Sequence, residues 1–315
     1  MTTTYPLLRP TLDVVFKMLF ARKRGHTALI GLLNAILKPA SKIESVEVLN
    51  PEIPKLLIED KGITLDIHAM LADGTMIDVE MQMASHNGMA KRALYYACRM
   101  YSSELKVGDF YDSLRPAVVI FLLAEDVFHD RPSEFELGYS LQQDDAGPVG
   151  FTELTCELQI KFYEIFKAFR LWQERQLPSD DVSLGAWLGF LADPASQAVE
   201  EACMSIPELK DAKNALEELS SEVESREIAR MREMARIHWD SLIAGAKAEG
   251  EAKGKAEGKA EGKAAGIAEG KAEASHMFLK ALLSATETKA FSDSRLAELT
   301  GLSVAEVAKV RAELK

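Results

Sequence analysis

The chain has 315 residues, 47% of them hydrophobic and 27% charged, with a formal net charge of -12. That length exceeds the ~100 to 200 residues usual for one domain, so a second region is expected, and the composition of an ordinary soluble protein excludes overall disorder. The acidic balance excludes a general nucleic-acid coat, so any grip on DNA has to come from local patches such as Arg22-Lys23-Arg24 and Lys91-Arg92.

Cys98, Cys156 and Cys203 lie far apart, form no CxxC pair and have no clustered histidines. Neither a disulfide framework nor zinc is expected, and a reducing cytoplasm fits best. The opening MTTTYPLLRP lacks the basic start and apolar stretch of a signal peptide, and the longest apolar run, Ala117 to Ala124, is too short for a bilayer. No membrane is expected.

From Thr11 to Leu37 the apolar residues recur at helical spacing, interrupted by the basic stretch Arg22 to His26 with its Gly25. Two helices are predicted, the second capped by Thr27 and ending before Pro39. Lys42 to Leu49 alternates like a strand, and Ile63 to Leu71 and Thr75 to Met83 are two more, joined at Asp73-Gly74. A long helix follows over Met89 to Val107, then a continuous apolar strand, Pro116 to Ala124, of the kind buried on both faces of a mixed sheet. Strands near Ser133 to Gln142 and Thr152 to Gln159 come next, then helices around Lys161 to Glu174 and Leu184 to Leu191.

Pro207 to Ala248 reads as long amphipathic helix. Beyond it, glycine recurs at 250, 254, 258, 262, 266 and 270 among Ala, Glu and Lys. Each interior Gly costs ~1 kcal/mol relative to Ala, so the repeat is either a linker or a helix that needs a partner. In the tail, Gly301 divides two short helices, and Ser303 with Glu306 forms a capping box for the second.

The chemistry lies in the hairpin. In ITLDIHAML, Asp66 and His68 share one strand face, opposite Leu65, Ile67, Ala69 and Leu71; in TMIDVEMQM, Asp78, Glu80 and Gln82 oppose Ile77, Val79 and Met81. A two-residue loop would pair Asp66 with the core residue Met81. A three-residue loop Ala72-Asp73-Gly74, with Gly74 left-handed, pairs residue 71 with 75 and Asp66 with Glu80. Adjacent carboxylates repel unless a cation neutralises them, and oxygen-only ligation suits Mg2+ or Mn2+.

The order helix, three strands, helix, strand, with Asp66 and then Glu80-Met81-Gln82, resembles the restriction-endonuclease-like PD-(D/E)XK core, here followed by a mostly helical C-terminal region. More narrowly, LDVVFKMLF, LLNAIL, LDIHAMLADGTMIDVEMQ, RALYYACRMYSSELKVGDFY and ALEELSSEVESREIARMREMA resemble the Rpn family of recombination-promoting nucleases, the PD-(D/E)XK family transposases. The resemblance implies a metal-dependent DNA endonuclease linked to recombination or mobile elements in bacteria, with DNA as partner and Mg2+ or Mn2+ as cofactor. It places Asp66 and Glu80 at the metal, with the Met81 carbonyl as a third ligand. Gln82 stands where the wider superfamily has lysine, so another cation has to serve; Lys91, Arg92 and Lys17 are the candidates. A catalytically weak DNA- or protein-binding regulator that retains the fold is the alternative.

Asp13, near a helix start and four residues before Lys17, is expected to pair with it, with metal binding as the second reading. His68 is a lesser catalytic candidate, and Tyr95, Tyr96 and Tyr101, on the helix after the site, are expected in the core, with contact to a nucleotide backbone as the second reading. The expected organisation is a nuclease domain over 1-170, a helical region over 171-248, the repeat over 249-273 and a helix-turn-helix-like tail over 274-315. Self-association, a dimer above all, is expected through the C-terminal helical half; the tail's near-balanced charge leaves DNA and protein contact both open.

Overall fold

The computed structural model describes residues 5–50, 67–83, 88–103, 105, 107–142, 153–285 and 290–314, without the side chains of 153–156. Helix α1 (Asp13–Phe20) runs through a short 3-10 turn at Lys23–Gly25 into α2 (His26–Leu37). The second helix therefore starts before Thr27, on Gly25 and with no side-chain cap. A Cβ on Gly25 would lie 1.9 Å from the Leu19 carbonyl oxygen, so the corner demands glycine. Lys38, left-handed at φ 46°, ends α2 before Pro39, as expected.

Strand β1 is only Val46–Val48, shorter than the alternation from Lys42 suggests. The Asn34 side chain takes the Ile43 N–H at 2.8 Å and donates to its carbonyl at 3.0 Å, which holds that residue out of the ladder. Strands β2 (Ile67–Leu71) and β3 (Met76–Gln82) form the predicted hairpin. Helix α3 (Met89–Ser103) leads to β4 (Ala117–Leu123), and then come β5 (Glu136–Gln142) and β6 (Glu153–Glu164). The last of these overrides the helix expected from Lys161: its ladder with β4 continues to Leu123↔Glu164, and α4 (Ile165–Gln173) starts only there.

The six strands form one mixed sheet in the order β1-β2-β3-β4-β6-β5, with β3, β4 and β6 parallel to one another. Its central strand β4 is buried throughout and feeds two cores. Val118, Ile120 and Leu122 pack with Phe16, Leu33, Trp187 and Leu216 on one face, while Val119, Phe121 and Leu123 meet Met89, Ala93 and Ala97 of α3 on the other. A chain alternating at period two needs both faces covered when every residue is apolar, and the helices on either side supply that cover.

Helices α5 (Val182–Ala192), α6 (Gln197–Ala202) and α7 (Pro207–Ser221) follow α4. The segment 171–248, set apart in the sequence as a helical region, thus contributes Leu184, Trp187, Leu209 and Leu216 to the same core as the sheet. Gly185 and Gly189, one turn apart, make a flat face for Trp172: a Cβ at either would come within 2.9 Å of its ring. At the start of α4 the buried pair Glu164 and Lys167 fastens the loop after β4. Lys167 donates to the carbonyls of Phe128, Arg131 and Glu134 at 3.2 to 3.3 Å, and Glu164 accepts the Phe128 N–H at 2.8 Å.

The expected single helix from Pro207 breaks at Glu222, extended at ψ 126°, and α8 (Val223–Ser284) starts beyond it and carries through the whole glycine repeat. The chain divides into two compact units, residues 1–237 and 238–315. In the second, α9 (Asp293–Thr300) and α10 (Val304–Glu313) pack Leu296, Val307 and Val310 against Leu279 and Leu283. Gly301 at φ 71° and the Ser303–Glu306 capping box are as predicted.

The break at Glu222 is an electrostatic clasp. Its carboxylate takes Arg22 at 3.2 Å and Arg24 at 2.6 Å, and the Ser225 hydroxyl donates to it at 2.6 Å. Partial burial would raise its pKa, but the hydrogen bonds from Ser225 and Arg24 and the nearby arginine charges outweigh that and hold it down at about 2. A carboxylate with its folded pKa below the unfolded value stabilises the fold at neutral pH and loses that contribution as pH falls from about 4.5 toward 2. Glu222→Gln is therefore expected to be less stable than the wild type at pH 7 in urea unfolding, with the difference shrinking toward pH 3. An equal difference at both pH values would remove the clasp from the account.

Candidate active site

The hairpin turn has the three-residue form. Leu71 accepts Gly74 N–H and donates to Thr75 O, both at 2.9 Å, and Gly74 stands at φ 89°. The ladder then pairs Ile67 with Val79 and His68 with Asp78, the register expected. Asp66 lies outside the described residues. Ile77, Val79 and Met81 enter the larger core, so Asp78 and Glu80 face α3. Both are buried, at 2% and 1% exposure, where strand alternation alone leaves a half-solvated acidic face.

Burying carboxylates is costly unless charge and hydrogen bonds meet them. Glu80 Oε2 accepts the Gln82 amide at 2.7 Å and the Arg92 guanidinium at 3.3 Å, and Arg92 also donates to Gln82 Oε1 at 3.3 Å. The guanidinium rests 5.1 Å from the centre of the Tyr96 ring, a cation–π contact that orients it. On the neighbouring pair, His68 Nδ1 lies 3.2 Å from Asp78 Oδ1. Burial lowers the His68 pKa, and the charges of Lys17 and Arg99 lower it further.

The three cations offered by the sequence separate clearly. Arg92 reaches Glu80. Lys17 is buried on α1 and near enough for its charge to act on His68. Lys91 is exposed. Met81 packs its side chain in the core; because Met76 N–H and the Gln82 carbonyl both bond toward β4, strand alternation turns the Met81 carbonyl the other way, to the β2 side.

Asp13 is held not by Lys17, as its spacing suggests, but by Arg232 of α8, which donates to both its oxygens, at 3.0 and 2.9 Å from Nε. Tyr95, expected in the core, is 60% exposed, while Tyr96 and Tyr101 are half-buried. The patch Arg22-Lys23-Arg24, expected to grip DNA, has both arginines committed to Glu218 and Glu222. One residue is missing from the expected site, Asp78, although its signal is present in the sequence: it shares the Glu80 face two residues earlier.

The profile of the PD-(D/E)XK nuclease family transposases matches residues 10–246. The chain belongs to that family. No curated protein and no solved structure matches it. As a PD-(D/E)XK nuclease family transposase the protein has a nuclease- or transposase-related function, and such nucleases typically use divalent metals. The matched span ends within α8 and leaves out the glycine repeat and the tail. Among the described residues no helix is long and apolar enough to cross a membrane.

Proposed function

We propose that the protein is a Mg2+- or Mn2+-dependent DNA endonuclease, with Asp66, Glu80 and the Met81 carbonyl holding the ion. The observation that carries this reading is Glu80, a carboxylate at 1% exposure on β3 with a guanidinium and an amide on one oxygen. The donor chemistry fits a hard divalent ion, since every proposed ligand is oxygen. Among the described residues no group of three or more His, Cys, Asp or Glu could hold a metal, so the site depends on Asp66 joining Glu80. The register expected from the hairpin sets those two against each other. When bound, the ion would supply charge stabilisation at the phosphate and lower the pKa of the attacking water.

The chain's own residues do the rest. Arg92 supplies the positive charge that Gln82 lacks, placed to meet a non-bridging phosphate oxygen as negative charge develops there. Gln82 positions Arg92 and Glu80 through its two amide atoms. The test is plasmid nicking with Mg2+, Mn2+ or EDTA. Asp66→Ala and Glu80→Ala are expected to abolish metal-dependent nicking, and Arg92→Ala to slow it by about a hundredfold, with Arg92→Lys partly restoring the rate. Nicking that survives both acid substitutions would remove the site and favour a binding protein that keeps only the fold.

We further infer a dimer formed through α8 and the C-terminal half. One such centre cuts one strand, and a twofold pair is the commonest way to bring two together. On α8 Leu242, Ile243 and Ile267 are 49%, 60% and 50% exposed, and its glycines at 250 to 270 have nothing within 4 Å of an added Cβ. Such a helix gains little from its own composition and much from a second one alongside. Light scattering should give a dimer for the full chain and a shift toward monomer for Leu242→Glu/Ile243→Glu. A monomeric wild type at micromolar concentration would defeat the inference.

A further inference from the structure

Helix α3 carries charge of one sign only. Met89–Ser103 contains Lys91, Arg92 and Arg99 and no Asp or Glu, in a chain of net charge -12. Arg92 turns inward to Glu80, whereas Lys91 and Arg99 are exposed and, among the described residues, neither is in an ion pair. A solvated helix face ordinarily interleaves both signs, as Arg230 with Glu227 and Arg236 with Glu233 do on α8.

Between the two exposed cations stands Tyr95, four residues from each and 60% exposed. That spacing keeps Lys91, Tyr95 and Arg99 on one face, with the cations about 12 Å apart along the axis. The face is continuous with the site. The Tyr95 ring centre is 6.0 Å from that of Tyr96, and Tyr96 carries the Arg92 that reaches Glu80. Two like charges flanking an exposed ring suit a polyanion with flat groups better than an apolar protein surface, because a polyanion relieves their repulsion while the ring offers a stacking platform.

We propose that the outer face of α3 is a docking track for a DNA strand, with Lys91 and Arg99 on its phosphates and a base stacked on Tyr95, leading the strand toward Glu80. This rests on the nuclease reading of the site but uses residues outside it. Stacking on an exposed ring requires an unpaired base, so the track favours single-stranded or frayed DNA.

The test is fluorescence anisotropy of a labelled 20-nucleotide single strand and its duplex, with the full chain in EDTA over a salt series. Lys91→Glu/Arg99→Glu should weaken binding of the single strand at least tenfold and reduce the magnitude of the log Kd against log salt slope by about 1.4, two contacts at ~0.7 each. The milder Lys91→Gln/Arg99→Gln should go the same way and guards against misfolding. Tyr95→Ala should cost roughly tenfold on the single strand and less on the duplex, with Tyr95→Phe near wild type.

Wild-type affinity and slope in the charge variants would overturn the track, as would equal losses for Tyr95→Ala and Tyr95→Phe. Unchanged DNA binding with an altered sedimentation coefficient would give the face to a second copy and overturn it too. The catalytic reading fails separately: nicking that survives Asp66→Ala and Glu80→Ala, beside lost DNA binding in the charge variants, would sink the metal site and keep the track.

Discussion

Two carboxylates buried on one face of β3 set the terms for everything around them. Asp78 and Glu80 lie two residues apart at 2% and 1% exposure, where like charges repel and water cannot screen them. Helix α3 answers both halves of the sheet face it covers. Met89, Ala93 and Ala97 pack on the apolar residues of β4 and β6, while Arg92, resting on the Tyr96 ring, reaches Glu80. A sheet face that is apolar at β4 and carries two buried acids at β3 thus meets a helix that is small and apolar on one line and cationic on the next. A divalent ion held as proposed would extend the same neutralisation.

The N-terminal segment and the base of α8 form a second linked set. Asp13 is gripped by Arg232, Arg9 meets Glu233 at 3.4 Å, Arg226 sits 3.9 Å over the Tyr5 ring, and the Leu8 N–H bonds the Ser220 hydroxyl at 2.9 Å. With the Glu222 clasp, these contacts bind the start of α8 to α1, the helix that also carries Lys17.

Local rules made much of this legible. The alternation of ITLDIHAML and TMIDVEMQM, with Gly74 as the left-handed turn residue, sufficed for the hairpin register, and the uninterrupted apolar run at Ala117–Leu123 sufficed for a strand covered on both faces. What escaped depends on partners far away in the chain. Asp13 looked satisfied by Lys17 because Arg232 is more than two hundred residues distant. Arg22 and Arg24 looked available to DNA because Glu218 and Glu222 are equally remote. Lys161 to Glu164 has helix-compatible residues, but pairing with β4 overrides local propensity. Tyr95 looked like core because aromatic residues usually are, and only the placement of α3 on the sheet decides which of two adjacent tyrosines faces in.

We propose that Glu80 belongs to a divalent-ion site completed by Asp66. Calorimetric titration of Mn2+ into the metal-free full chain tests it without any nuclease assay. Saturable binding by the wild type is expected, abolished by each of Asp66→Asn and Glu80→Gln, while the folded state persists by circular dichroism. Binding that is unchanged in both variants, or absent from the wild type, would contradict it.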